Sequence, residues 1–468
     1  MQQTITGWQD TIVALATPQG LGAIGVIRLS GAAAISIANR LFPSKDLTAQ
    51  PSHTIHVGWL KDEKGTDIDE VVISLFKNPR SYTGEDVVEI SCHGSAYVQQ
   101  QIIHACIAAG ARMAGAGEFT QRAFLNGKLN LAQAEAVADI IASESEAGHR
   151  TALQQMKTGF ANEMKSLREQ LVNFASLVEL ELDFAEEDVE FANRDKFNEL
   201  LQEIRRYLEK LIHSFKMGNA IKTGITTVIA GRPNAGKSTL LNALLNDERA
   251  IVSDIAGTTR DVIEEKIVIN GLVFRLIDTA GIREATDVIE RMGVERSLQQ
   301  IGNASILLYV FDASTSSELE ILEDIGKLNI AGQKLLLIAN KADLCEEAAL
   351  GMLRFSINEG AGNDYTIFEI SALRKDKVDE LKEYLGAVAL DERIDSSQPL
   401  ITNIRHYQAL KDAAAAVEKV QEAFRAGLST DLVALDIREA IYALGLITGE
   451  VTNDEILGNI FSKFCIGK

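Results

Sequence analysis

A chain of 468 residues is long enough for roughly two or three domains, each with its own buried core. Its hydrophobic fraction of 46% and charged fraction of 24% are those of an ordinary globular protein. The formal net charge of −20 excludes a broad non-specific nucleic-acid surface, which needs clustered Lys and Arg, but leaves room for a local basic patch or a nucleic acid held mainly by a partner. The opening "MQQTITGWQD" has neither a basic n-region nor an apolar h-region, and no run approaches the ~18 apolar residues of a membrane span. Cys92, Cys106, Cys345 and Cys465 are scattered without a Cys-x-x-Cys pair, so neither a disulfide framework nor a zinc site is indicated. The expectation is a cytoplasmic protein without membrane attachment.

In chain order, residues 1–118 alternate β-rich and helical runs. "TIVAL", "AIGVIRLSG", "HTIHVGWL", "DEVVISLF" and "DVVEISCHG" read as strands, "AAAISIANRLF" and "SAYVQQQIIHACIAAG" as helices. "GLGAIG" (Gly20 to Gly25) fits G-x-G-x-x-G, but a dinucleotide site needs a helix next and an acidic residue about 20 positions on. The residues after it are strand-like, so a glycine-rich turn between strands is expected. Residues 119–221 are almost wholly helical; the acidic run "ELELDFAEEDVEF" within them reads as a solvated helix face, since no Gly turn sets up a calcium loop. Residues 222–385 carry buried-strand runs "TTVIAG", "FRLIDTAG", "SILLYVFDA" and "KLLLIANKAD" between helical segments, the mark of a parallel α/β sheet. Helical character returns over 386–468. The expected architecture is multidomain α/β plus all-α: an N-terminal α+β domain, then a helical domain interrupted by an inserted α/β domain.

The strongest motif is "GRPNAGKST" (Gly231 to Thr239), which matches G-x-x-x-x-G-K-S/T between a strand and a helix. Backbone N–H groups of Asn234, Ala235, Gly236, Lys237, Ser238 and Thr239 would cradle phosphates at a helix N-terminus. Lys237 would bridge the β- and γ-phosphates, and the Ser238 hydroxyl would ligate Mg2+. Downstream, "SDIAGTTRD" supplies Ser253, Asp254, Ile255, Ala256, Gly257, Thr258 and Thr259, the last as a second Mg2+ ligand. "DTAG" supplies Asp278, Thr279, Ala280 and Gly281 to support the metal and sense the γ-phosphate. "NKAD" (Asn340, Lys341, Ala342, Asp343) places a carboxylate suited to the N1–H and 2-amino donors of guanine, and "SAL" (Ser371, Ala372, Leu373) would back its O6. The region resembles a Ras-type P-loop GTPase domain, which implies GTP.

Ile282 stands where Ras-like proteins carry a water-orienting Gln, and hydrolysis needs positive charge at the γ-phosphate, commonly an arginine finger worth ~10³–10⁵ in rate. Asn234 with the "SDIAGTTRD" loop offers an alternative, a K+ ion held by the Asn side chain and loop carbonyls.

With "TIVALATPQGLGAIGVIRLSG", "SYTGEDVVEISCHG", "GEFTQRAFLNGKLNLAQAEAVADII", "DTAGIREATDVIERMGVERS" and the terminal "FCIGK", the chain from about residue 10 onward resembles the MnmE (TrmE) family of tRNA uridine-5-carboxymethylaminomethyl modification GTPases, of the TrmE-Era-EngA type. The resemblance implies a folate-binding, dimerising N-terminal domain that takes a 5-formyl- or methylene-tetrahydrofolate at Arg28, Glu89, Lys128 and Lys468. It implies K+ at Asn234, Ser253, Ile255 and Thr258, and Glu290 acting on water through a second water. It also implies a homodimer working with an FAD-containing partner, as a heterotetramer or larger, to place an aminomethyl or carboxymethylaminomethyl group on C5 of a tRNA wobble uridine. Such a partner would carry much of the tRNA surface and so account for the acidic charge. Two departures, "CHGS" and "GAGEF" where a second glycine and "RPGEF" are common, sit near the expected folate region.

Two other readings fit less well. A ribosome-assembly GTPase switch would carry a KH-type domain or a second G domain, and a folate-dependent aminomethyltransferase would leave the GTPase insertion unexplained. The tail raises its own question. Lys468 does not suit a prenylation box, and a frayed terminus is the plain alternative. Instead, apolar spacing at Ile456, Leu457, Ile460, Phe461 and Phe464 is expected to dock the tail and hold Cys465, a candidate nucleophile, near the folate site.

Overall fold

In a computed structural model of the chain, the described residues are 10–157, 159–183, 194–245, 264–278, 302, 304–328, 333–361, 365–390, 399–426 and 430–468. Strands β1 (Ile12–Leu15) and β2 (Ile24–Ser30) pair antiparallel, so "GLGAIG" leads into a strand and no helix opens there. Helix α1 (Ala34–Leu41), β3 (Thr54–Lys61), β4 (Asp67–Phe76), β5 (Val87–His93), α2 (Ala96–Ala108) and β6 (Arg112–Met113) complete a six-stranded sheet in the order β3-β4-β5-β2-β1-β6. Alternation along β4 buries Val71, Ile73 and Leu75 on one face, where Ile37, Leu41, Ile102 and Cys106 of α1 and α2 cover them. On the opposite face, Ile12 and Ala14 of β1 meet Ala114 and Phe119. Strand β6, only two residues long, was not expected; it pairs parallel with β1 at Ile12 and Val13.

Helices α3 (Glu118–Leu125), α4 (Leu131–Ala142), α5 (Glu146–Met156), α6 (Gly159–Asp183) and α7 (Arg194–Thr223) come next, as the Ala/Leu/Glu-rich pattern predicts. The chain then enters β7 (Ile225–Ala230), α8 (Lys237–Leu245), β8 (Glu264–Ile269), β9 (Leu272–Asp278), β10 (Ile306–Asp312), α9 (Glu318–Lys327), β11 (Lys334–Asn340), a 3-10 turn at Ala342–Leu344, α10 (Glu347–Ala361), β12 (Ile367–Glu369) and α11 (Val378–Leu390). The sheet order is β12-β11-β10-β7-β9-β8. It is parallel except at its edge, where β8 runs antiparallel to β9. That edge departs from the parallel expectation, and its signal was legible. Asn270 and Gly271, at φ 51° and 76°, form the Asn-Gly turn that favours a two-residue hairpin.

Helices α12 (Ile404–Arg425), α13 (Thr430–Thr448) and α14 (Asp454–Phe461) end the chain. Contacts divide the chain into two compact units. One comprises 1–141, 152–209 and 408–468, the other 142–151 and 210–407. Within the first, α13 packs along α6. No described helix is long and apolar enough to cross a membrane.

Candidate functional site

In the nucleotide-type unit, the loop between β7 and α8 is closed largely by its own groups. Lys237, mostly buried, donates its Nζ to the carbonyls of Gly231 at 2.9 Å and Arg232 at 2.8 Å. These carbonyls occupy the ammonium that the motif would turn toward phosphate. Ser238 Oγ donates to Asp278 Oδ2 at 3.2 Å, which joins the helix start to the end of β9. A hydroxyl beside a carboxylate is a hard-oxygen pair, the donor set a Mg2+ ion prefers. Asn234 stands exposed at φ 62°, offering an amide oxygen at the crest of the loop, and Thr239 is exposed on the first turn of α8.

Asn340, buried at the end of β11, fastens the far side. Its Nδ2 donates to Ala235 O at 2.8 Å, and its Oδ1 accepts from Ala372 N at 3.0 Å. One side chain thus sets the phosphate loop against the "SAL" segment. Gly236 sits at φ 93° directly under that amide, and a Cβ there would run into Asn340 Nδ2. Lys341, at φ 62°, pairs with Asp312 at 2.6 Å, and Asp343 pairs with Arg374 Nε at 3.0 Å. Burial alone would raise the Asp312 carboxyl, but bonds from Lys341 and Ser314 hold it below its ordinary value. Ser371 is buried, whereas Leu373 is 83% exposed. Expectations at Ser253, Asp254, Ile255, Ala256, Gly257, Thr258, Thr259, Thr279, Ala280, Gly281, Ile282 and Glu290 lie outside the described residues.

In the other unit, the chain's last residues are stitched onto the segment before α3. Asn453 caps α14 by accepting from Ile456 N at 2.8 Å. Leu457, Phe461 and Phe464 then bury against Leu131 and Ala134 of α4. Gly117 N donates to Cys465 O at 3.4 Å, Phe119 N donates to Lys468 O at 3.2 Å, and Ala116 and Ile466 form a bridge. Ala116 is one of the residues of the departing "GAGEF" string, so the substitution falls where the tail pairs. Gly467, at φ 98°, lies so close to β1 that a Cβ would meet the Leu15 carbonyl oxygen. The tail is therefore ordered by packing and backbone pairing, and the frayed-terminus alternative does not describe it.

This docking brings Arg28, Glu89 and Lys468 together. Arg28 Nε and Nη2 both reach Glu89 Oε1, at 2.9 and 2.7 Å, while Nη1 donates to Gly467 O at 3.4 Å. Its guanidinium lies 5.3 Å from the centre of the Tyr82 ring and 5.7 Å from that of Phe119. Burial and the Arg28 charge hold the Lys468 ammonium below the ordinary lysine value, opposed by Glu89 and Cys465. Two cations, a carboxylate with a second oxygen to offer, and two aromatic rings suit a heteroaromatic ligand that presents N–H donors beside a carbonyl or anionic oxygen. Lys128 donates to Pro79 O at 3.1 Å. Cys465 is exposed.

Sequence reasoning gave no role to Tyr82 or Phe119, although both stand inside the quoted "SYTG" and "GEF" strings. It also missed the charge cluster beneath the tail. Arg122, 1% exposed, bonds Asp10, Glu85 and Glu118, and Arg112 bonds Asp10 and Glu118. Burial would raise the Glu118 carboxyl, but bonds from Arg112, Gly115 N and Arg122 hold it below its ordinary value.

Among known protein families, the model described as MnmE helical domain matches residues 131–465, and that described as GTP-binding protein TrmE N-terminus matches residues 11–128. A tRNA modification GTPase MnmE from Flavobacterium johnsoniae is 55% identical over 469 residues, covering 98% of this chain and 99% of the relative. That of Cytophaga hutchinsonii is 52% identical over 465 residues, covering 99% of each chain. Among solved structures, Aquifex aeolicus Era is 27% identical at a TM-score of 0.28, covering 41% of this chain and 66% of that one.

Proposed function

This chain belongs to the MnmE family of tRNA modification GTPases, and we propose from that premise how its two units divide the work. The protein is a GTP-hydrolysing enzyme of tRNA modification, and its family membership carries guanine nucleotide and Mg2+ binding with it. The phosphate loop holds GTP through Asn234 to Thr239, with Lys237 leaving its two carbonyls for the phosphates. Ser238 and Thr259 hold Mg2+, which supplies charge to the phosphates when bound. Asn234, Ser253, Ile255 and Thr258 hold a K+ ion that takes the place of an arginine finger. Asp343 reads guanine, with Asn340, Lys341, Ala342 and the segment Ser371 to Leu373 around it. Asp278, Thr279, Ala280 and Gly281 respond to the γ-phosphate, and Glu290 orients the attacking water through a second one.

The N-terminal part (1–118) binds the folate through Arg28, Glu89, Lys128 and Lys468 and dimerises. A bound 5-formyl- or methylene-tetrahydrofolate supplies the one-carbon unit. Glu89 would accept from the N–H donors of its heteroaromatic edge, Arg28 and Lys468 would supply positive charge to an oxygen beside those donors, and Tyr82 and Phe119 flank the guanidinium. Cys465 is the candidate nucleophile beside this site. Residues 119–221 and 386–468 form one helical domain into which the G domain, 222–385, is inserted. The protein acts in the cytoplasm on tRNA, with an FAD-containing partner, at C5 of the wobble uridine.

The observation that supports this reading most is the tail, stitched by Cys465, Ile466 and Lys468 so that Lys468 stands beside the Arg28–Glu89 pair. A GTPase switch that only bound RNA would have no use for such a site. Mass spectrometry of wobble uridines from cells lacking the protein is the test. Loss of the C5 substituent is expected, and an unchanged nucleoside profile would refute the reading.

A further inference from the structure

Arg232 occupies the second position of "GRPNAGKST", where an arginine invites the reading of a charge supplied in cis. The geometry turns it the other way. Nε donates to Asp324 Oδ2 at 2.7 Å and Nη2 to Asp324 Oδ1 at 3.2 Å, a two-pronged grip on helix α9. Nη1 bonds the Glu320 carboxylate, and Nη2 also reaches the Glu320 carbonyl at 3.4 Å. The guanidinium is spent on two carboxylates and a carbonyl.

Those carboxylates are themselves fixed. Tyr309, buried on β10, donates its hydroxyl to Asp324 Oδ2 at 2.7 Å. Glu320 closes a capping box with Ser317 at the start of α9, and Ile321 and Ile325 bury that helix against the sheet. Behind the side chain, the Arg232 carbonyl accepts from Lys237 Nζ at 2.8 Å and from Ala235 N at 3.4 Å. The loop is thus pinned twice, at Arg232 by α9 and at Ala235 by Asn340.

We infer that Arg232 is a positioning residue for nucleotide binding: its clamp to Asp324 and Glu320 fixes the entry of the phosphate loop, and it contributes no charge to the transition state. The inference rests on the GTPase reading above. A loop held in its binding shape favours the phosphates of GTP and GDP alike, so the clamp acts on affinity and leaves the chemical step alone.

The experiment measures GTP and GDP affinity and GTP turnover in the full chain for wild type, Arg232→Ala, Arg232→Lys and Tyr309→Phe. Arg232→Ala is expected to weaken both nucleotides about tenfold, with kcat at saturating GTP unchanged within about twofold. Lysine, which cannot make the two-pronged bond, restores part of the affinity. Tyr309→Phe leaves Arg232 and the loop residues in place but removes one of the bonds that fix Asp324, so a loss of about two- to threefold is expected. If Arg232→Ala does not fold, this milder variant decides alone. Nucleotide affinities within experimental error of wild type in both variants would overturn the inference. So would a large fall in kcat at unchanged affinity, which would make Arg232 a catalytic charge. Failure of wild type to bind GTP would instead overturn the underlying reading.

Discussion

The phosphate loop and the C-terminal tail are both short, glycine-containing segments, yet they are held by opposite means. The loop's principal ammonium bonds carbonyls five and six residues back, so most of its shape is made within one contiguous stretch. The tail has almost no internal bonding and takes its conformation from β1, β2 and the segment 115–119, some 350 to 450 positions away in sequence. A motif closed mainly from within depends on distant parts only at its two pins, Arg232 and Ala235. A tail closed by long-range contacts conveys any disturbance of its receptor, and of itself, directly to its site.

The comparison breaks most simply by removing the tail. Deleting residues 465–468 takes away Lys468, the Gly467 carbonyl on Arg28 and the backbone pairing to Ala116 to Phe119. Wobble-uridine modification is expected to be abolished, as read by mass spectrometry of tRNA from a complemented deletion strain. GTP hydrolysis in K+ buffer should stay within about twofold of wild type, because among the described residues the tail and the phosphate loop have no hydrogen-bond partner in common. A truncated protein that still modifies tRNA fully would reduce the tail to a structural plug.

The second effect belongs to the loop alone. On the proposed reading, a cation beside Asn234 supplies the charge at the γ-phosphate, and Arg232 is committed to α9. Turnover is expected to fall at least about tenfold when KCl is replaced by NaCl at equal ionic strength, the scale of losing one electrostatic contribution to the transition state. Folate affinity should not respond. Equal rates in the two salts would dismiss the K+ assignment.

The same contrast explains what could be read before the structure. Phosphate-loop positions, "NKAD" and "SAL" could be picked out because each is a run of neighbours in sequence beside a strand end, and Asn340 bonds both of the other two runs. The Arg28–Glu89–Lys468 grouping was reached only through resemblance, since no local pattern ties residue 28 to residue 468. Tyr82, Phe119 and the Arg122 cluster went unread for the same reason: an arginine in "TQRAF" looks like a helix-surface residue until Asp10, Glu85 and Glu118 close on it. The β8–β9 hairpin was a different failure, a local Asn-Gly signal passed over in favour of the parallel pattern around it.

The smallest expected effect sharpens the comparison at the tail's receptor. Glu118, 5% exposed, ties Arg112, Arg122 and Gly115 N together at the entry to α3, where Gly117 and Phe119 donate to the tail. Its carboxyl is held below the ordinary value in the folded chain. The stabilisation it gives is therefore complete above the unfolded carboxylate value and is lost as pH falls through the lower, folded one. Glu118→Gln removes the charge while keeping the shape, at a cost of about 1–3 kcal/mol for bonds made to a charged group. Read locally, this is about 5- to 150-fold less hydrogen-exchange protection at the Gly117 and Phe119 amides, after correction for intrinsic rates. In the wild type the same amides should lose protection only below the ordinary carboxylate range, and the variant should show no such acid step. The amides of α8, in the nucleotide unit, serve as the internal control and should be unaffected by the substitution. If protection at Gly117 and Phe119 were unchanged by Glu118→Gln, the tail would be held by its apolar residues alone, Leu457, Phe461 and Phe464 against α4. The charge cluster would then have no part in setting Lys468 beside Arg28.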